Sequence, residues 1–383
     1  MQKKIIILCT VILIVVMEAL FALIGALMPG PFTGTVTDAE TNEPIANVSV
    51  SDGRNVVKTD ENGAYTLPGY SKSRFVTVTT PAGYWTENYY IPVTKDRETY
   101  DFRLDKSEKT AQADHSFLQI SDSEIGAKGV GAWIEHVRDT VKETDPAFLI
   151  HTGDICYEDG LKQHIKDMNT ENMGVPVRYV IGNHDYVAGK YGEALFESIY
   201  GPVWYSFDVG NVHYVVTPFQ TGADYASGYN KNDRWKWLEN DLANVEPGMK
   251  VVMFNHTKAP SDDYVLSYGL KKMDLKEHDL IAWVYGHYHY NYITETDGVL
   301  NISTGRPDCG GIDSSASGSR LISITANGQV STQMYYYDFE QPQAPDGANW
   351  SAQLEGNLLF ADPLAVGLSL IHISEPTRLR CIS

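Results

Sequence analysis

Basic residues are scarce in this chain. Across 383 residues, 30 Lys+Arg stand against 49 Asp+Glu, a formal charge of −19. A nucleic-acid-binding face needs cationic surface to displace counterions, and this composition argues against one. Cysteine is rare as well. Of the four, Cys9 lies in an apolar leader and Cys381 in the last three residues, so one disulfide at most, Cys156 with Cys309, is available between the ends. Internal repeats and low-complexity tracts are missing. What is present is ordinary globular material: an apolar share of 43% with 11% aromatics excludes a disordered or collagen-like chain. The length suggests two or three domains. The acid excess also fits a protein that holds divalent cations, which only the placement of the acids can decide.

The two ends stand apart from the rest. Lys3 and Lys4 precede a nearly unbroken apolar run from Ile5 to Met28, interrupted by Glu18. A basic start before an apolar segment long enough to span a bilayer predicts an export signal or an N-terminal membrane anchor over residues 1–28. The chain is therefore expected to be exported: periplasmic, secreted or tethered to the membrane and facing outward. Residues 339–367 open on a Pro-rich polar stretch and read as a linker or the start of a further domain. Residues 368–383 resemble the conceptual translation of a sequencing adapter and are expected to be a non-native tail.

Residues 30–105 alternate in period two, with Asp52-Gly53 and Asn62-Gly63 supplying turn positions, and predict a small all-β sandwich. The stretch 59–65 resembles the carboxypeptidase-regulatory or prealbumin-like modules, of immunoglobulin-like size, that are appended to secreted enzymes; it implies a spacer or docking role. Residues 106–114 are polar and read as a linker. From 115 to 338 the pattern changes to apolar strands alternating with amphipathic helices, at 133–141 and 235–242 among others, which predicts an α/β domain.

Within that domain, five apolar strand-like runs each end in residues of the metal-ligand type. The first ends at Asp122, followed by Glu124; the second at Asp154, followed by Cys156 and Tyr157. The third ends in Asn183-His184-Asp185, the fourth in His256, and the fifth in His287 and His289. In α/β folds, sites collect outside the carboxyl ends of strands, so five such ends specify a site.

The ordered motifs Gly153-Asp154, Gly182-Asn-His-Asp185, His256 and Gly286-His-Tyr-His289 resemble those of the calcineurin-like metallophosphoesterases. The resemblance runs from about residue 116 to 337. It implies a four-layer α/β/β/α sandwich and hydrolysis of phosphate esters by a water activated at two metal ions, Fe, Mn or Zn. By family position, Asp154 would bridge both ions, with Asp122 and His289 completing the first site and Asn183, His256 and His287 the second. His184 would stabilise the phosphoryl group or protonate the leaving oxygen, and Asp185 would orient it.

One position departs from the pattern. The first motif of the family usually ends in His, and here it ends in Glu124. Two readings stand: Glu124 is itself a hard oxygen ligand, or Tyr157 supplies the missing ligand, as in the Gly-Asp-x-x-Tyr pattern of the purple acid phosphatases. The match of spacing favours Tyr157. Arg306 would contribute either a phosphate-binding guanidinium or a salt bridge to a strand-end acid. His151 reads as a core or supporting residue, and His115, His136 and His164 as packing or surface residues. Tyr186, Tyr191, Tyr200, Trp204 and Tyr205 would form either a substrate wall or a self-packed loop. A binding or scaffolding protein at the cell envelope, its metal site decayed at Glu124, is the competing function; the retained Asp, Asn and His residues argue against it. Since few of the acids are expected ligands, most of the acidity is surface, which favours small phosphate esters over polyanions.

Overall fold

The computed structural model describes residues 30–126, 131–218, 223, 225–311 and 315–337. The leader over 1–28, the 339–367 segment and the 368–383 tail lie outside the described residues. Among the described residues, no helix is long and apolar enough to cross a membrane.

The N-terminal region is a sandwich of two four-stranded sheets. One runs β4 (Ala64–Leu67), β1 (Phe32–Asp38), β8 (Phe102–Lys106), β6 (Tyr84–Trp85). The other runs β3 (Val56–Lys58), β2 (Ser49–Ser51), β5 (Phe75–Val78), β7 (Tyr90–Pro92). Alternation in β1 buries Phe32, Val36 and Asp38 while Thr33 stays exposed. Gly53 and Gly63 take φ of 90° and 69°, as their turn positions require. The connection expected to be a linker is folded: Ser107 caps a helical turn, Glu108–Ala111, whose Thr110 Oγ1 donates to Tyr84 O at 3.1 Å.

The second region is an α/β/β/α sandwich. Its first sheet runs β11 (Val177–Tyr179), β10 (Phe148–His151), β9 (His115–Ile120), β20 (Gly318–Ile324), β21 (Val330–Tyr336). The second runs β12 (Tyr205–Val209), β13 (Val212–Val216), β14 (Lys250–Phe254), β17 (Leu280–Tyr285), β19 (Val299–Ser303), β18 (Tyr292–Thr296), and β15 (Val265–Tyr268) pairs with β16 (Lys271–Asp274) in a separate hairpin. The central strands are buried on both faces, which is why they read as continuous apolar runs. Phe117, Phe148, Ile150, Tyr214, Val252, Phe254, Ala282 and Val284 fill the space between the sheets. Their neighbours Leu118, Leu149, Val215, Val251, Met253 and Trp283 belong instead to the core that includes Trp133, Val137, Leu161, Trp235 and Leu238 of the helices Trp133–Thr144, Tyr157–Asp167 and Lys231–Leu242. Adjacent residues thus face opposite layers.

The two regions share one continuous core, since Val36, Leu67, Phe102 and Leu104 of the small sandwich join the inter-sheet cluster. The sandwich also covers an edge strand: Thr80 bridges Phe207 in parallel, and the Asp208 N–H donates to Thr80 O at 2.8 Å. Behind that edge, buried His213 lies 2.6 Å from Asp208 Oδ1 and 3.0 Å from Asp241 Oδ2. Ser206 Oγ donates to Asp241 Oδ1 at 2.7 Å and meets Thr79 Oγ1 of the sandwich at 2.9 Å. Burial alone would lower the His213 pKa, but the carboxylates of Asp241 and Asp208 outweigh it and raise it to about 10. Further along, Arg74 Nη1 reaches Glu193 Oε1 at 3.0 Å and Glu197 Oε2 at 2.5 Å, while its guanidinium covers the rings of Tyr191 and Tyr229.

Candidate metal centre

The strands β9, β10 and β11 are parallel neighbours in one sheet, and β14 and β17 are parallel neighbours in the other. Parallel pairing puts their carboxyl ends on one edge. Asp122 and Glu124 follow β9, Asp154 follows β10, and Asn183–Asp185 forms a 3₁₀ turn after β11; His256 follows β14, and His287 and His289 follow β17.

The loops bend sharply where they carry ligands. Asp122, Glu124, Asp154, His287 and His289 all hold φ between 41° and 68°, an uncommon conformation for residues with a side chain. Such strain persists only where surroundings over-determine it. Here the backbones of the first two loops run together: Asp122 N donates to Gly153 O at 2.9 Å, and Glu124 N to Asp154 O at 3.1 Å. The glycines of the motifs permit the approach. A Cβ at Gly182 would lie 2.2 Å from Asp154 Oδ1, and one at Gly286 1.8 Å from Ser121 Oγ and 2.4 Å from Asp122 Oδ2. Asp185, expected to orient His184, directs its carboxylate at the backbone: Oδ2 accepts from Gly182 N at 2.8 Å and Asp154 N at 3.0 Å, and Oδ1 from Cys156 N at 2.9 Å. It therefore clamps the second and third loops together. Burial first, and then the charge of Asp154, raise its pKa to about 7 against the pull of those N–H groups.

Of three three-residue clusters that could hold a cation, two are made wholly of residues expected as ligands. Ligand atoms of Asp154, His256 and His287 all lie within 4.8 Å of one another, and so do those of Asp122, Asp154 and His289. Asp154 is common to both. His256 Nε2 is 3.0 Å from Asp154 Oδ2, and His289 Nε2 is 3.3 Å from Asp122 Oδ1. Asp122 accepts the His287 N–H at 2.9 Å. His256 Nδ1 faces Thr152 O at 2.8 Å, which keeps a proton on that nitrogen and leaves Nε2 for the cluster. Burial would raise the Asp154 pKa, but His256 and the His184 N–H outweigh it and hold the carboxyl down at about 2. Burial likewise opposes charge on His256, and Asp154 overcomes it to lift that pKa to about 9. A cation would replace this proton.

The donor set fits such ions. It comprises carboxylates, imidazoles and the Asn183 amide, whose Oδ1 is buried with no hydrogen-bond partner among the described residues. That orphaned acceptor suits a metal ligand, and the oxygen–nitrogen mixture suits Fe, Mn or Zn.

The two candidates for the departing position are placed differently. Glu124 Oε1 is 3.4 Å from His289 Nε2, and its carboxylate clusters with Asp154 and His184 within 4.8 Å. Tyr157 is 56% exposed, with its ring centroid 5.2 Å from that of His184. Glu124 thus lies among the ligand-type side chains, and Tyr157 against the His184 ring. Arg306 forms the strand-end salt bridge: Nη1 contacts Glu124 Oε2, and Nε and Nη2 bond Asp308 at 3.1 Å each.

Several supporting residues carry little sequence signal. His151 Nδ1 accepts from Gly153 N at 3.2 Å, so its Nε2 holds the proton and donates to Ser123 Oγ at 2.8 Å, between Asp122 and Glu124. Burial keeps this imidazole neutral, its pKa lowered to about 3. Gln119, polar within an apolar strand, joins the sheets beneath the site by donating to Tyr285 O at 2.8 Å and accepting from Thr304 Oγ1 at 2.7 Å. His115 meets Tyr214, His136 faces Tyr335 O at 3.3 Å, and His164 lies 3.3 Å from Tyr200, all packing roles. Tyr186, Tyr200, Trp204 and Tyr205 are buried in cores and Tyr191 lies beneath Arg74, so this group packs the loop and makes no substrate wall. Cys156 is a free buried thiol, so the disulfide with Cys309 is not formed.

No curated protein was found to be similar in sequence. Similar solved structures include a dimetal phosphatase from Danio rerio, at 12% identity and TM-score 0.42, covering 57% of this chain and 95% of that one. GAP50, the anchor in the inner membrane complex of Plasmodium, aligns at 14% identity and TM-score 0.39, covering 58% and 84%. Phosphopantetheinyl hydrolase from Mycobacterium tuberculosis aligns at 18% identity and TM-score 0.33, covering 51% and 91%. The family model for the N terminal of calcineurin-like phosphoesterase matches residues 30–107, and that for calcineurin-like phosphoesterase matches residues 115–291. With both regions matched and the family's motifs gathered where the strand ends of the two sheets meet, the chain belongs to the calcineurin-like phosphoesterases.

Proposed function

We propose that this protein hydrolyses small phosphate esters at a centre of two cations. Asp122, Glu124, Asp154 and His289 hold the first; Asp154, Asn183, His256 and His287 hold the second. The observation that carries this reading is the membership of Asp154 in both ligand clusters. A carboxylate shared by two cations offsets their mutual repulsion and sets them at bridging distance. When bound, such cations polarise phosphoryl oxygens and acidify a water.

The residues around them divide the remaining work. The His184 N–H donates to Asp154 Oδ1 at 2.9 Å, which ties the position of that residue to the shared ligand. Its half-buried imidazole is placed to give a proton to a leaving oxygen. Asp185 and Gly182 fix the loop that carries His184, and Arg306 holds Glu124 from the far side. The net charge of −19 disfavours long polyanions at low salt and supports compact substrates. The basic-then-apolar start supports action on the outer side of a membrane.

Assays with Mn, Fe or Zn on p-nitrophenyl phosphate and on its bis-ester test the reading. Turnover that is abolished by Asp154→Asn and strongly reduced by His184→Ala is the expected result. Turnover indifferent to both substitutions contradicts it.

A further inference from the structure

Tyr157 stands out of the surface beside a catalytic residue, and the chain holds it there against local preference. It is the first residue of the helix Tyr157–Asp167, more than half exposed, with its ring tilted 46° to that of His184. The backbone leading to it is left-handed at Asp154, Cys156 and Tyr157, with φ of 55°, 91° and 54°. Residues in such conformations persist only where neighbours enforce them. Two enforcing devices are visible. Asp185 grips the N–H groups of Asp154 and Cys156. Gly160 lets the helix press against the Glu124 loop, for a Cβ there would lie 2.3 Å from Ile125 O. A rigid mount that leaves more than half of an aromatic side chain in water forgoes the burial a tyrosine usually gains, and it does so next to the proton donor for the leaving group.

We propose that Tyr157 is the platform on which the leaving group lies, and that the site prefers phosphate esters whose leaving group presents a flat π face beside the ester oxygen. The proposal rests on the phosphoesterase reading above. Stacking on an aromatic side chain gives a preference that removing the ring reveals and keeping the ring preserves.

The test compares p-nitrophenyl phosphate with glycerol phosphate on metal-loaded full-length protein, with the metal content of each variant measured in parallel. The readout is the ratio of kcat/KM for the aryl ester to that for the alkyl ester, so the intrinsic reactivities of the two esters cancel between variants. Tyr157→Ala is expected to lower that ratio about tenfold. Tyr157→Phe is expected to keep it within about twofold of wild type, both variants retaining the wild-type metal content. An unchanged ratio in Tyr157→Ala overturns the platform. Loss of metal from Tyr157→Phe also overturns it and makes the phenol a metal ligand. No turnover of either ester by the wild-type protein overturns the phosphoesterase reading and the platform together, and is distinguishable because no ratio then exists.

Discussion

His256 Nε2 sits 3.0 Å from Asp154 Oδ2, and both side chains are sealed from solvent. The pair is a proton-balanced version of a metal ligand set, since each partner holds the other charged. Removing one partner from a buried pair leaves an uncompensated charge. His256→Ala is therefore expected to destabilise the metal-free protein by about 3–5 kcal/mol and to weaken the second cation site. Urea unfolding with and without added metal measures both, and an unaltered unfolding midpoint would contradict the pairing.

Gly182 tests the loop contact without backbone strain. Its φ is −93°, which alanine adopts freely, so the penalty comes from the Cβ, which would lie 2.2 Å from Asp154 Oδ1 and 2.3 Å from Asp154 N. Gly182→Ala is expected to cost about 1–3 kcal/mol and to lower metal affinity at least about tenfold by displacing the shared carboxylate. Competition with a chelating indicator reads the affinity; wild-type binding would refute the close approach.

The His213 group gives a pH dependence far from the metal centre. Its folded pKa of about 10 exceeds the ordinary 6.5, so its stabilising charge is fully present below about pH 6.5 and is lost as pH rises through 10. Unfolding free energy is expected to fall by ~1.4 kcal/mol per pH unit across that window from this group alone. His213→Gln should flatten that part of the slope in equilibrium unfolding between pH 7 and 10. Identical slopes in wild type and variant would rule out a buried imidazolium.

The small sandwich is expected to fold as one unit with the catalytic region. Arg74 pairs with Glu193 and Glu197, both buried, and Glu197 belongs to the helix Ala194–Tyr200 that follows the third motif. Arg74→Met should cost about 3–5 kcal/mol, and wild-type denaturation should show a single transition by fluorescence and circular dichroism. Two separated transitions in the wild type would restore the picture of an independent spacer.

The gathering of the expected ligand residues was legible in the sequence because each comes within a few residues of the end of a strand whose apolar run is unmistakable, most with a glycine close by. Strands buried on both faces leave a strong signal, and the glycines mark where backbones approach. Arg74, His213 and Gln119 were not legible. Arg74 and Gln119 meet partners far along the chain, Glu197 and Tyr285, and although Asp208 is close to His213 in sequence, its second carboxylate, Asp241, is not. The choice between Glu124 and Tyr157 also escaped sequence reasoning: spacing ranked the two, but the direction of each side chain depends on left-handed backbone in both loops. The aromatics after the third motif stayed open between a substrate wall and a self-packed loop for a related reason. A run of aromatics looks alike whether it faces a ligand or its own core, and here Arg74 and the core claim it.

Everything proposed for the site depends on Asp154 being the ligand shared by two cations. Elemental analysis of the full-length protein, stripped and reloaded with Mn, Fe or Zn, tests it directly when run on wild type and Asp154→Asn side by side. Two ions per chain in the wild type, with one or none in the variant and turnover lost, is the predicted result. A variant that keeps both ions, or an active wild type that binds only one, would contradict it.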